Sequence, residues 1–84
     1  MSELKLPDSY GREQFAARLL KAIKVKGMTQ KEISCLLDVT EAAVSQWCNG
    51  VCFPSVENTV IMAMLLGVTL DYLVIGRRTC YGNE

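Results

Sequence analysis

Two helix-start signals stand only eleven positions apart in this chain, at Thr29 and Thr40. Thr29-Gln30-Lys31-Glu32 forms a capping box, in which the threonine oxygen accepts from the third helical amide and Glu32 reaches back to the cap amide. Ile33, Leu36 and Leu37 then give a short apolar face, which Asp38-Val39 interrupts. Thr40 opens a second helix with Val44 and Trp47 three apart on its inner side, and Asn49-Gly50 closes it. Two helices this close must cross at a steep angle, so the residue between them needs a left-handed backbone. Glycine suits that position best, and aspartate is one of the few side chains that substitutes. A small residue is wanted midway along the first helix, and Ser34 and Cys35 supply small side chains.

The rest of the chain keeps the same helical period, and no alternating stretch supports a strand. Asp8 or Ser9 is placed to cap a first helix that carries Phe15, Leu19, Ala22 and Ile23 on one face. Lys24 and Lys26 fall where the helix dipole favours cations, and Gly27 supplies the stop. Ser55 caps a fourth helix from Val56 to Leu66, closed by Gly67. Its second half, Val60 to Leu66, is apolar all round, which predicts a central buried helix. Thr69 caps a final short helix with Leu70, Tyr72, Leu73, Val74 and Ile75. The pattern predicts an all-α, compact five-helix domain over residues 9–76. An N-terminal arm (1–8) precedes it, and a polar tail or start of a linker (77–84) follows.

Eighty-four residues suit one domain, and half of them are apolar. The formal charge is zero, but its distribution is uneven. Arg12, Arg18, Lys21, Lys24, Lys26 and Lys31 face only Glu13 over that stretch, a local surplus of five. A lysine run of this kind is most often a solvated helix face. Its place directly before the capped pair makes it a candidate phosphate-facing patch. Cys35, Cys48, Cys52 and Cys80 lack paired metal-ligand spacing, and there is no histidine, so free thiols are expected and no metal or other cofactor is implied. Cys35 reads as a small core residue and the others as surface or half-buried thiols. The longest apolar stretch is far too short for a membrane span, and no secretory leader is visible, so a cytoplasmic protein is expected. The chain also lacks a clustered carboxylate pair, a phosphate loop or a nucleophile with a base, so neither an enzyme nor a small-molecule substrate is expected.

The capped pair matches the helix-turn-helix supersecondary pattern. Anchoring its second helix through Val44 and Trp47 leaves the other faces open to a DNA major groove. Trp47 reads as core, because a tryptophan three residues from Val44 packs inward. On the open side, Gln46 has the groups to pair bidentately with adenine, Glu41 to accept from cytosine, and Ala42 to meet a thymine methyl. Glu41 has a second reading, as an acid that stabilises the helix N-terminus.

The run from Met28 to Gly50, followed by Pro54-Ser55 and by Leu66 to Gly76, resembles the lambda-type phage repressor and Cro family of helix-turn-helix domains. The likeness extends over about residues 11 to 76. It departs from the family at Asp38, where the turn glycine is usual, and at Cys48, where an acid often follows the tryptophan. The resemblance implies a lambda repressor-like fold and a transcriptional repressor of phage or prophage type. Such a repressor binds a pseudo-palindromic double-stranded operator as a homodimer, with helix 40–49 in the major groove. It implies that Thr29, Gln30, Lys31, Thr40 and Asn49 hold the phosphate backbone, and that Glu41, Ala42, Ser45 and Gln46 read bases. Tyr72, Val74 and Ile75 are the dimer candidates, with a purely core-closing role for the last helix equally open. The rival is a protein-binding module on the same fold, such as an antitoxin that represses its own gene.

Overall fold

The computed structural model describes residues 6–76, in which every regular element is helical. Four α-helices, α1 (Arg12–Lys26), α2 (Gln30–Leu37), α3 (Glu41–Cys48) and α4 (Val56–Leu66), precede a single π-helical turn, Asp71–Ile75. Residues 1–5 of the expected arm and the whole expected tail, with Cys80, lie outside the described residues.

The caps form where the sequence places them. Thr29 Oγ1 accepts from the Glu32 amide at 3.1 Å, and Glu32 Oε1 accepts from the Thr29 amide at 2.9 Å. Thr40, Ser55 and Thr69 each accept from the amide three residues on, at 3.0, 3.1 and 3.1 Å. Each bond satisfies an amide that the helix itself leaves unpaired, an effect of about 1 kcal/mol per cap. The start of α1 differs from expectation. Neither Asp8 nor Ser9 caps it: Gly11 stands at the N-cap without a side-chain bond. The Ser9 hydroxyl instead donates to the carbonyl of Ile75, across the length of the chain.

Between α2 and α3, Asp38 holds φ 58° and ψ 46°, the left-handed conformation the short connection requires. In that conformation the Asp38 and Val39 amides turn back to the carbonyls of Cys35 and Ser34, at 3.3 and 3.0 Å. It is the sole non-glycine residue with positive φ among the described residues.

Every helix contributes to one core. Its most deeply buried side chains are Phe15 and Leu19 from α1, Ile33 from α2, Val44 from α3, Met62 from α4 and Leu73 from the π-turn. Four sequence expectations change here. The small buried residue of α2 is Ser34, whose hydroxyl donates to the Lys31 carbonyl at 2.7 Å, whereas Cys35 is exposed. Cys48, expected near the surface, is a core residue. Leu36 and Leu70 point to solvent instead of completing the apolar faces of their helices. α4 is not a central helix: Thr59, Met62, Ala63 and Leu66 face inward, while Val56 and Met64 are 81% and 76% exposed. With few helices around one small core, α4 packs on one side only, so an all-apolar composition leaves apolar side chains outside.

Arg18 closes the fold. Its guanidinium donates to the carbonyls of Leu73, Ser9 and Val74, each at 3.0 Å. These are end-of-helix carbonyls and a loop carbonyl, and one planar, multiply donating group satisfies all three. Desolvation holds its pKa below the ordinary value. A Cβ at Gly76 would stand 2.7 Å from Arg18 Nη1, and Gly76 itself has φ +87°, so only glycine passes here unstrained.

The turn gives a direct test. Asp38→Gly relieves the left-handed cost and raises the melting temperature, while Asp38→Val adds about 1–2 kcal/mol of strain. For a domain of this size each kcal/mol moves the melting temperature by about 4–8 °C. Thermal denaturation followed by circular dichroism should rank the variants Gly above Asp above Val.

Candidate nucleic-acid interface

One side of α3 is fixed and the other is open. Val44, Trp47 and Cys48 are buried against the core, the tryptophan as the sequence suggests. Glu41, Ala42, Gln46 and Asn49 are exposed, and Ser45 is half-buried. The four candidate base-reading residues therefore share one short helix whose remaining side is held. Thr40 stands at its head with its hydroxyl committed to the cap, and Asn49 at its end. Thr29, Gln30 and Lys31 cluster at the head of α2, with Gln30 half-buried and Lys31 exposed.

Two of the candidate side chains, Ser45 and Gln46, are contacted from beyond the helix. Asn49 Nδ2 donates to Ser45 Oγ at 3.2 Å, and the Cys52 thiol donates to Gln46 Oε1 at 3.8 Å. The segment that carries Cys52 is itself tied down. The Val51 amide donates to the Gln46 carbonyl at 3.0 Å, and Arg12 Nη1 donates to the Val51 carbonyl at 2.8 Å. Gly50 turns this segment at φ 77°, against the backbone of α1, where a Cβ would meet Glu13 Cα at 3.4 Å. Phe53 then stacks on Tyr10 (5.5 Å between centroids, 29° between planes) and meets Phe15 edge-on (5.6 Å, 69°). Nothing in the sequence pattern marks Cys52 as part of this surface, because the contact depends on the loop's path.

The electrostatics are unusual for a surface that meets phosphates. From Thr29 to Gly50 the chain carries Lys31 against Glu32, Asp38 and Glu41, a formal charge of −2. The basic run before it is partly engaged within the fold. Arg18 is half-buried and bound to three backbone carbonyls, while Arg12 is exposed with one N–H donated to the Val51 carbonyl, and Lys21, Lys24, Lys26 and Lys31 are exposed. Backbone amides at the heads of α2 and α3 add positive helix-end potential.

The dimer candidates line two clefts. Val74 and Ile75 line an open apolar cleft of about 450 Å³ with Tyr10, Phe53, Val56 and Leu70. Tyr72 lines a separate cleft with Lys21, Val25 and Leu66. Among the described residues no cluster of three potential metal ligands occurs, and no helix is long and apolar enough to cross a membrane.

The helix-turn-helix family profile matches residues 19–73, which takes in α2, α3 and α4 whole. The chain belongs to the lambda repressor-like helix-turn-helix family. This helix-turn-helix protein is accordingly a DNA-binding transcription regulator, and its α2 and α3 are the motif. Three solved structures share its fold. The P22 c2 repressor, determined in complex with a synthetic operator, superposes with a TM-score of 0.70 at 25% identity, over 75% of this chain and 96% of its own. A transcriptional regulator from Listeria innocua gives 0.68 at 27% identity, over 83% of this chain, which spans 64% of that protein's length. A hypothetical transcription factor from Neisseria, NHTF, gives 0.69 at 24% identity, over 88% and 86% of the two chains, a likeness of fold. No curated protein matches the sequence significantly.

Burial of Cys48 has a chemical consequence. Desolvation raises its thiol pKa above the ordinary 9.0, so the thiolate is scarce near neutral pH. A raised acid pKa in the folded state contributes stability that is present below pH 9.0 and is lost as pH rises through the folded value. In a thiol-labelling time course on native protein, Cys35 and Cys52 should react first. Cys48 should react only at the rate of unfolding, and its modification in parallel with Cys35 would contradict this burial.

Proposed function

We propose that this protein is a transcriptional repressor of phage or prophage type that binds a pseudo-palindromic operator as a homodimer, with α3 in the major groove. The observation that carries the reading is the two-sidedness of α3, with Val44, Trp47 and Cys48 buried behind an exposed Glu41, Ala42 and Gln46. Likeness to the P22 c2 repressor, itself seen on operator DNA, supports the phage type. Gln46 pairs with adenine, Ala42 meets a thymine methyl, and Glu41 and Ser45 complete the base-reading set, each good pair adding roughly 1–3 kcal/mol of discrimination. Thr29, Gln30, Lys31, Thr40 and Asn49 hold phosphates, and Lys24 and Lys26 extend the charge. A cytoplasmic location follows from this reading, since that is where operator DNA lies.

For the dimer, Val74 and Ile75 share their cleft with Val56, which projects at 81% exposure. A cleft and a projecting apolar side chain on one face are the elements of a two-fold, self-complementary contact. Val74 also packs against the core, so Val56→Asp is the cleaner probe. Sedimentation should show it shifted to monomer with helicity intact, and an unchanged association state would remove this face from the dimer.

The negative charge of the motif favours a second reading, in which the same fold masks a protein partner and represses its own gene. Selection of bound duplexes from a randomised pool separates the two. A two-fold symmetric consensus is expected, with affinity falling steeply as salt rises because bound phosphates release counterions. Enrichment of no sequence would overturn the repressor reading. Glu41→Ala should relax base preference more than it changes overall affinity.

A further inference from the structure

We propose that Cys52, outside the recognition helix, is a specificity-determining positioning residue that orients the Gln46 carboxamide for base reading. The inference rests on Gln46 acting as a base reader. A carboxamide has an accepting and a donating end, and a solvent-exposed glutamine turns readily between them. Here the Cys52 thiol donates to Gln46 Oε1 at 3.8 Å, within range for a sulfur donor. In this contact the thiol is the donor and Oε1 the acceptor. Oε1 is therefore directed toward Cys52, and the amide group projects away from it as the leading donor. The oxygen keeps a second lone pair, so pairing with adenine N6 and N7 remains open to the pre-turned group.

The support behind Cys52 is stiff. Cys52 packs against the core, and its neighbour Val51 is fixed at both backbone atoms. The Val51 amide bonds to the carbonyl of Gln46 itself, and its carbonyl is held by Arg12 from α1. Backbone and side chain of Gln46 are thus gripped by two consecutive residues of one segment. Preorganisation of this kind acts on affinity for the matching base, because the correctly turned amide loses less freedom on binding. Sequence-independent phosphate contacts are untouched by it.

The test is a double-mutant cycle on the duplex enriched from the randomised pool and on its single-base-pair variants. Gln46→Ala identifies the base pair that Gln46 reads. Cys52→Ala should reduce discrimination at that same base pair roughly two- to fivefold, with non-specific duplex binding unchanged. Cys52→Ser keeps a donor and should retain most of the preference. In the Gln46→Ala background, Cys52→Ala should have no further effect on discrimination. An equal loss in both backgrounds, or full discrimination in Cys52→Ala, overturns the proposal while leaving Gln46 a base reader. If Gln46→Ala changes no base preference, the base-reading role fails and this inference with it. Thermal melts of each variant show whether any loss arises from unfolding.

Discussion

Burial of one side of α3 is the constraint on which the remaining structure depends. Val44, Trp47 and Cys48 enter a core built from all five helical elements, and their burial fixes the rotation of the helix about its axis. Truncating a tryptophan in such a place removes about 3–5 kcal/mol, a large share of a small domain's stability. The exposed residues of α3 therefore owe their direction to the buried ones. A helix of eight residues has too few hydrogen bonds to persist alone, so its position is a property of the packing.

The left-handed Asp38 and the two threonine caps make that packing reachable. Thr29 opens α2, Asp38 ends it and Thr40 opens α3, and together they pair amides that these short helices leave without partners. Asp38 does at some conformational cost what glycine does without it. The cost is local, and the core that it makes accessible spans the domain.

Charge divides between architecture and recognition. Arg12 and Arg18 stand at the start of a run that reads as a phosphate-facing patch, yet each is bound to carbonyls of distant segments. Arg18 joins the segment before α1 to the closing π-turn, and Arg12 steadies the loop after α3. The exposed cations of the run are Arg12 and the lysines, alongside a motif that is itself negative. Such a surface places more weight on backbone amides, hydrogen-bonding side chains and shape than on point charge.

The sequence alone determined which segments are helical and most of their ends, the start of α1 excepted, where Gly11 stands at the N-cap. Capping boxes, the turn residue and the apolar period are local signals, and Thr29, Asp38, Thr40, Ser55 and Thr69 all act where those signals place them. It also determined the anchor pair Val44 and Trp47, because their spacing puts them on one side of a helix. Only the tertiary structure decided which of two adjacent small residues enters the core, Ser34 and not Cys35, since either satisfies the local pattern. It decided that α4 has an outer side, because exposure depends on how many neighbours surround a helix and not on its own composition. It also decided the placement of Arg12, Arg18 and Cys52. Each acts on residues of another segment, and period and propensity do not record such distances.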